Sequence, residues 1–173
     1  MSTTISGDTG IDKVQDNAIT PTGSVSRIKT FIAQNSTSGT SIDFTGIPSW
    51  AKKITVMFNG VSTSGTSLFL VQVGSGIVDI TGYISSASTT TTTTGFIQSN
   101  AQDASSLVQG ISIFQLITGN TWLNSSMIAR QASSDIGGRG SKTLSGTLDR
   151  IRVTTVNGTD IFDAGQINVL VEG

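Results

Sequence analysis

Residues 142–171 read KTLSGTLDRIRVTTVNGTDIFDAGQINVLV, and two runs inside this stretch alternate with period two. In the first, Ile151 and Val153 fall on one face, with Arg150, Arg152 and Thr154 on the other. In the second, Ile167, Val169 and Val171 share a face opposite Gln166 and Asn168. Successive side chains of a strand point to opposite faces, so both runs predict half-buried strands. Asn157-Gly158 between them tolerates the positive φ angles of a tight turn. The second run starts only after Ile161–Gly165, which predicts a longer loop or a bulge rather than a two-residue hairpin. The last strand closes the fold, and Ile167, Val169 and Val171 are expected in the core.

The same signal recurs upstream. Ile54, Val56 and Phe58 share a face. Residues 26–33 and 41–44 read as short strands, with Pro48 in the turn that follows the second. Residues 67–73 are apolar on both faces, which places them centrally or at a subunit interface. Residues 77–84 predict a strand around Gly82. Six threonines at 89–94 suit an exposed loop or a solvent-facing edge, because a purely polar run cannot bury a face. Residues 110–118 and 121–129 form a hairpin about Gly119-Asn120, with Trp122 and Ile128 on one face. Residues 130–142, with Gly137-Gly138-Arg139-Gly140, read as a flexible loop. Short strands with turns every ~8–12 residues predict an all-β sandwich or barrel. Residues 26–173 are expected to form this domain. Residues 1–25 carry Ile5, Ile11, Val14 and Ile19 at irregular spacing, punctuated by Gly7, Gly10, Pro21 and Gly23, and predict an extended arm.

Composition narrows the function. Charged residues make up 12% of the chain, against ~25% in ordinary domains. Ser and Thr, 51 together, and 20 glycines take their place. A net charge of −1 offers no basic face for nucleic acid. The chain has no Cys and no His, hence no thiolate, no disulfide, and neither the commonest general base nor the commonest metal ligand. No apolar run approaches the ~20 residues of a membrane span, and the start lacks the pattern of a secretion signal. Asp160 and Asp163, with Asp149 upstream, are the nearest approach to a carboxylate pair. Asp160, after Asn157-Gly158-Thr159, reads instead as a turn residue, and Asp163 as a residue that caps or bonds a local backbone amide. Gly137-Gly138-Arg139-Gly140 lacks the Gly-Lys-Ser/Thr ending of a phosphate loop. Arg150 and Arg152 could meet an acidic partner or form a solvated or edge-protecting face, and the second is expected. Trp50 and Trp122 are expected as core or interface anchors. These readings predict no enzyme, no cofactor and no metal.

Three segments also resemble a known family. They are LDRIRVTTVNGTD at 148–160 with FDAG at 162–165, FTGIPSWAKKITVMFNG at 44–60, and TISGDTGIDKVQD at 4–16. The chain resembles small virion proteins of tailed bacteriophages, of the tail-fibre, tail or head-decoration type. The resemblance implies a jelly-roll-like sandwich behind an N-terminal arm. It also implies a homotrimer, and docking to other phage virion proteins through Ile5, Ile11, Val14 and Ile19. A host-surface glycan or protein would be the outer partner, with no nucleic acid and no membrane insertion. The implied role is a tail fibre or fibre tip contacting the host; the alternative is a capsid decoration protein. Either would sit in the virion, assembled in the bacterial cytoplasm and released by lysis.

Overall fold

The computed structural model describes residues 27–104, 106–131 and 137–173. These residues form an antiparallel all-β sandwich, with no helix among them. The larger sheet has nine strands. Its order runs β1 (Ile28–Thr30), β14 (Phe162–Glu172), β4 (Lys53–Thr63), β10 (Val108–Thr118), β11 (Thr121–Arg130), β12 (Arg139–Thr143), β7 (Ile84–Ala87) and β8 (Thr90–Thr92), with β2 (Gln34–Asn35) also on β14. The smaller sheet has five strands, in the order β3 (Ile42–Thr45), β13 (Arg150–Thr155), β5 (Phe69–Ser75) and β6 (Ile77–Val78), with β9 (Phe96–Ile97) on β5.

The core lies between the sheets, where period-two patterning meets from both sides. Ile54, Val56, Ile167, Val169 and Val171 face it from the larger sheet, and Ile151 and Val153 from the smaller. All seven have no exposed surface. The two runs that predicted strands at 150–171 are confirmed, yet they do not pair with each other. β13 belongs to the smaller sheet and β14 to the larger, so the intervening loop crosses between layers. Asn157 organises that crossing: its side-chain oxygen accepts the backbone N–H of Thr159 at 3.0 Å and of Asp160 at 3.2 Å. Gly158 follows with φ +67°, which a glycine adopts without steric cost.

Several local expectations are corrected. The strand at 26–33 is only Ile28–Thr30. Ile28 and Ile32 point to solvent, while Phe31 packs edge-on against Phe44 at 5.8 Å. The strand expected at 77–84 is two short strands, β6 and β7, separated by a turn with Gly82 at φ +73°. Residues 139–142, expected in a flexible loop, belong to β12, between β11 and β7. β5 is covered on both faces by its own chain: Phe69, Val71 and Val73 join the main core, and Leu70 packs with Ala87 and Ile97. Its doubly apolar pattern therefore needs no second subunit. Of the six threonines, expected as an exposed loop or a solvent-facing edge, Thr90–Thr92 form β8, which ends the larger sheet, and the other three flank it.

One polar device ties the layers together. Tyr83 is 2% exposed and stacks edge-on against Phe96 at 5.0 Å. Its hydroxyl accepts the Val73 N–H at 2.9 Å and donates to the Asp79 carbonyl at 2.9 Å. Lys142, inward on β12, bonds the Asp79 carboxylate at 2.9 Å and the Thr81 carbonyl at 2.9 Å. Burial pushes the Tyr83 phenol well above its ordinary value; the Asp79 carboxylate adds to this, and the Val73 N–H opposes it. An unfolded chain ionises its tyrosine near pH 10, while this folded one holds the proton, so the burial contributes stability below about pH 10 that is lost as pH rises further. Tyr83 is the single tyrosine. An absorbance titration is expected to show no phenolate until the protein unfolds in alkali, then a cooperative step. Gradual ionisation of folded protein near pH 10 would contradict the buried placement. Tyr83→Phe is expected to cost ~1–3 kcal/mol in a denaturant melt, because it leaves the Val73 N–H buried without a partner.

Candidate functional surfaces

A concavity of about 950 Å³ opens on the β11–β12–β7–β8 end of the larger sheet. Strand register builds it. Leu123, Ser141 and Ile84 lie opposite one another across β11, β12 and β7, as do Ser125, Arg139 and Ser86 in the next row. The trough thus offers apolar side chains (Ile84, Leu123), hydroxyls (Ser86, Ser141, Thr92) and the Arg139 guanidinium. No carboxylate among the described residues pairs with Arg139. Such a surface can hold a polar or acidic ligand by hydrogen bonds and one charge.

The two arginines of β13 are committed elsewhere. Arg152 makes a two-pronged pair with Asp43 on the neighbouring β3, at 2.7 Å for each contact. Arg150 bonds the adjacent Asp149 at 2.7 Å. Asp149 also accepts the Gly76 N–H at 3.1 Å, and its carboxyl is lowered from its ordinary value, chiefly by the Arg150 hydrogen bond. Both guanidiniums are thereby paired on the partly solvated surface of the smaller sheet; β13 lies between β3 and β5, so they protect no sheet edge, contrary to that part of the expectation.

The two aspartates given local roles, Asp160 in a turn and Asp163 on a nearby amide, divide. Asp160 is a turn residue: it accepts the Ser67 N–H at 2.9 Å and the Asn157 side-chain amide at 2.6 Å. Asp163 departs from its predicted role, because its partner is the Ser62 hydroxyl on β4 rather than a local amide. The reason is topological: β14 lies beside β4, so residues a hundred positions apart face each other there. Among the described residues no three Asp or Glu side chains gather as metal ligands. Trp122 is buried, and Trp50 packs half-buried against the core. Ile5, Ile11, Val14 and Ile19 lie outside the described residues.

Sequence reasoning missed the trough and the outer face around it. One signal was visible: no charged residue occurs between Asp103 and Arg130, a span that contains two long central strands. No protein-family model, no curated protein and no solved structure matches this chain.

Proposed function

We propose that this chain is a structural component of a tailed-bacteriophage virion, a tail-fibre or fibre-tip protein that contributes to contact with the host surface. In this reading it works as a homotrimer, its sandwich is of the jelly-roll kind, and residues 1–25 attach it to other virion proteins. It is no enzyme and needs no cofactor. The supporting observation is the separation of the two ends of the larger sheet. Arg27, which follows the proposed attachment segment, is hydrogen-bonded to Gly173 in both directions, at 2.9 and 3.0 Å, beside β1. The trough lies at the opposite end of the strand order, by β8. Attachment at one edge leaves the other free to meet a host glycan or protein, and binding residues on a rigid scaffold suit that use.

The test is immunogold labelling of purified particles with antibodies against residues 27–173, using wild-type phage and phage whose copy lacks residues 1–25. Gold at the tail end, lost with the deletion, is the expected result. Gold over the head would replace the fibre role with capsid decoration. Full incorporation of the shortened protein would sink the attachment role of residues 1–25.

A further inference from the structure

The outer face of the larger sheet is laid out in rows by its register. One row crosses Asn168, Met57, Ile111 and Met127. The next crosses Leu170, Thr55, Ile113 and Ser125. The solvent face of an antiparallel sheet is ordinarily polar. Here apolar side chains predominate at its centre: Met127 is 75% exposed and Leu123 41%, and Met57, Ile111, Ile113 and Leu170 are half-buried beside the polar Thr55, Ser125 and Asn168. Charges on this face stand at the margin. Lys53 and Glu172 pair with each other at 2.8 Å at one end, and Arg139 marks the trough side. A contiguous exposed apolar patch with a polar rim marks an interaction surface.

We propose that this face, centred on Met57, Ile111, Ile113 and Met127, is where copies of this chain associate with one another. The charge pattern selects the occupant. Near a symmetry axis each group meets its own image, so a charged centre would face like charge, whereas a neutral apolar centre meets itself without penalty. Size agrees as well. The whole outer face of the four central strands, ten residues long at ~3.3 Å rise and ~4.8 Å spacing, spans roughly 600 Å², the apolar rows and the polar residues around them together. That is one partner's share of an interface of about 1,200 Å², the lower end of the stable range. Methionine side chains also adapt to an opposing surface. The inference deepens the self-association in the reading above, but it does not depend on where in a particle the protein sits. It also replaces β5 as the reason to expect an oligomer.

Sedimentation of the full chain at micromolar concentration tests it. Wild type is expected at a multiple of 17.9 kDa. Met127→Lys is expected to fall to the single-chain mass with an unchanged melting curve. Ile77→Lys, at a 72% exposed apolar site on β6 of the smaller sheet, should keep the wild-type mass. A single-chain mass for wild type, or an undiminished mass for Met127→Lys, would overturn the proposal. Should Met127→Lys fail to fold, Met127→Cys decides. The chain has no cysteine, so a thiol cross-linker must join copies at that position and must not do so in Ile77→Cys on the smaller sheet. Absence of that cross-link would overturn the proposal. A single-chain wild type leaves the particle labelling to judge the virion reading, and an oligomer that never reaches particles removes that reading while keeping this one.

Discussion

Deleting residues 166–173 is expected to abolish folding and leave insoluble protein. β14 lies between β1 and β4 in the sheet order, paired with β4 from Gln166 opposite Asn59 to Glu172 opposite Lys53. Ile167, Val169 and Val171 have no exposed surface. Truncating a buried isoleucine such as Ile167 to alanine alone costs ~2–5 kcal/mol, a large share of a total of ~5–15 kcal/mol. The deletion removes all three side chains at once. It also strips β4 of a neighbour, exposing a long apolar edge that templates aggregation. Expression of the shortened chain, followed by a circular dichroism melt of whatever is soluble, checks the result. A soluble, cooperatively melting product would show that β14 is dispensable to the core.

Gly138→Ala is expected to destabilise the protein by ~2–4 kcal/mol through overpacking, among the larger effects of adding one methyl group. A Cβ at Gly138 would lie 1.6 Å from the Ile97 carbonyl oxygen, a rigid backbone atom. The close approach has a purpose. The Gly138 N–H donates to the Ser126 hydroxyl at 2.6 Å, and that hydroxyl donates to the Gln98 carbonyl at 2.9 Å. The Gly138 carbonyl in turn accepts the Ser126 N–H at 2.9 Å. These bonds join the segment leaving β9, in the smaller sheet, to β11 in the larger. Any side chain at Gly138 forces the layers apart. The sign of the effect is itself diagnostic. In a flexible loop the same substitution would stabilise by ~0.4–1 kcal/mol, because alanine restricts the unfolded chain. A urea melt of Gly138→Ala reads the sign directly, and a rise in midpoint would contradict the packing described here.

The glycine run marks where local reading stopped working. Gly137-Gly138-Arg139-Gly140 has the composition of a mobile loop, and composition cannot distinguish freedom from crowding. Gly140 is in β12, where a Cβ would meet the Ile84 carbonyl oxygen at 2.2 Å. Gly138 and Gly140 are there because other backbones occupy the space a side chain would need, and those backbones, at Ile97 and Ile84, are some forty or more residues upstream. β5 failed in the same way. Its pattern correctly showed that both faces must be covered, but not by what. The covering residues Ala87 and Ile97 reach Leu70 only once β7 and β9 have folded over it.

What the sequence determined by itself is the part that local physics controls. Period-two alternation marks the buried faces at Ile54–Phe58, Ile151–Val153 and Ile167–Val171, because side-chain direction along a strand depends on neighbouring residues alone. Asn157-Gly158 and Gly119-Asn120 mark turns for the same reason: they depend on φ angles within a few residues. The all-β class follows from these features together. Only the tertiary structure decided which strands are neighbours. It separated β13 from β14 into different sheets, gave Arg152 its partner Asp43, and set Asp163 beside Ser62. It also assembled the trough from β11, β12, β7 and β8, and aligned Met57, Ile111 and Met127 into one apolar row. Strand pairing is a contest among contacts far apart in the chain, and no residue carries a local trace of its eventual partner.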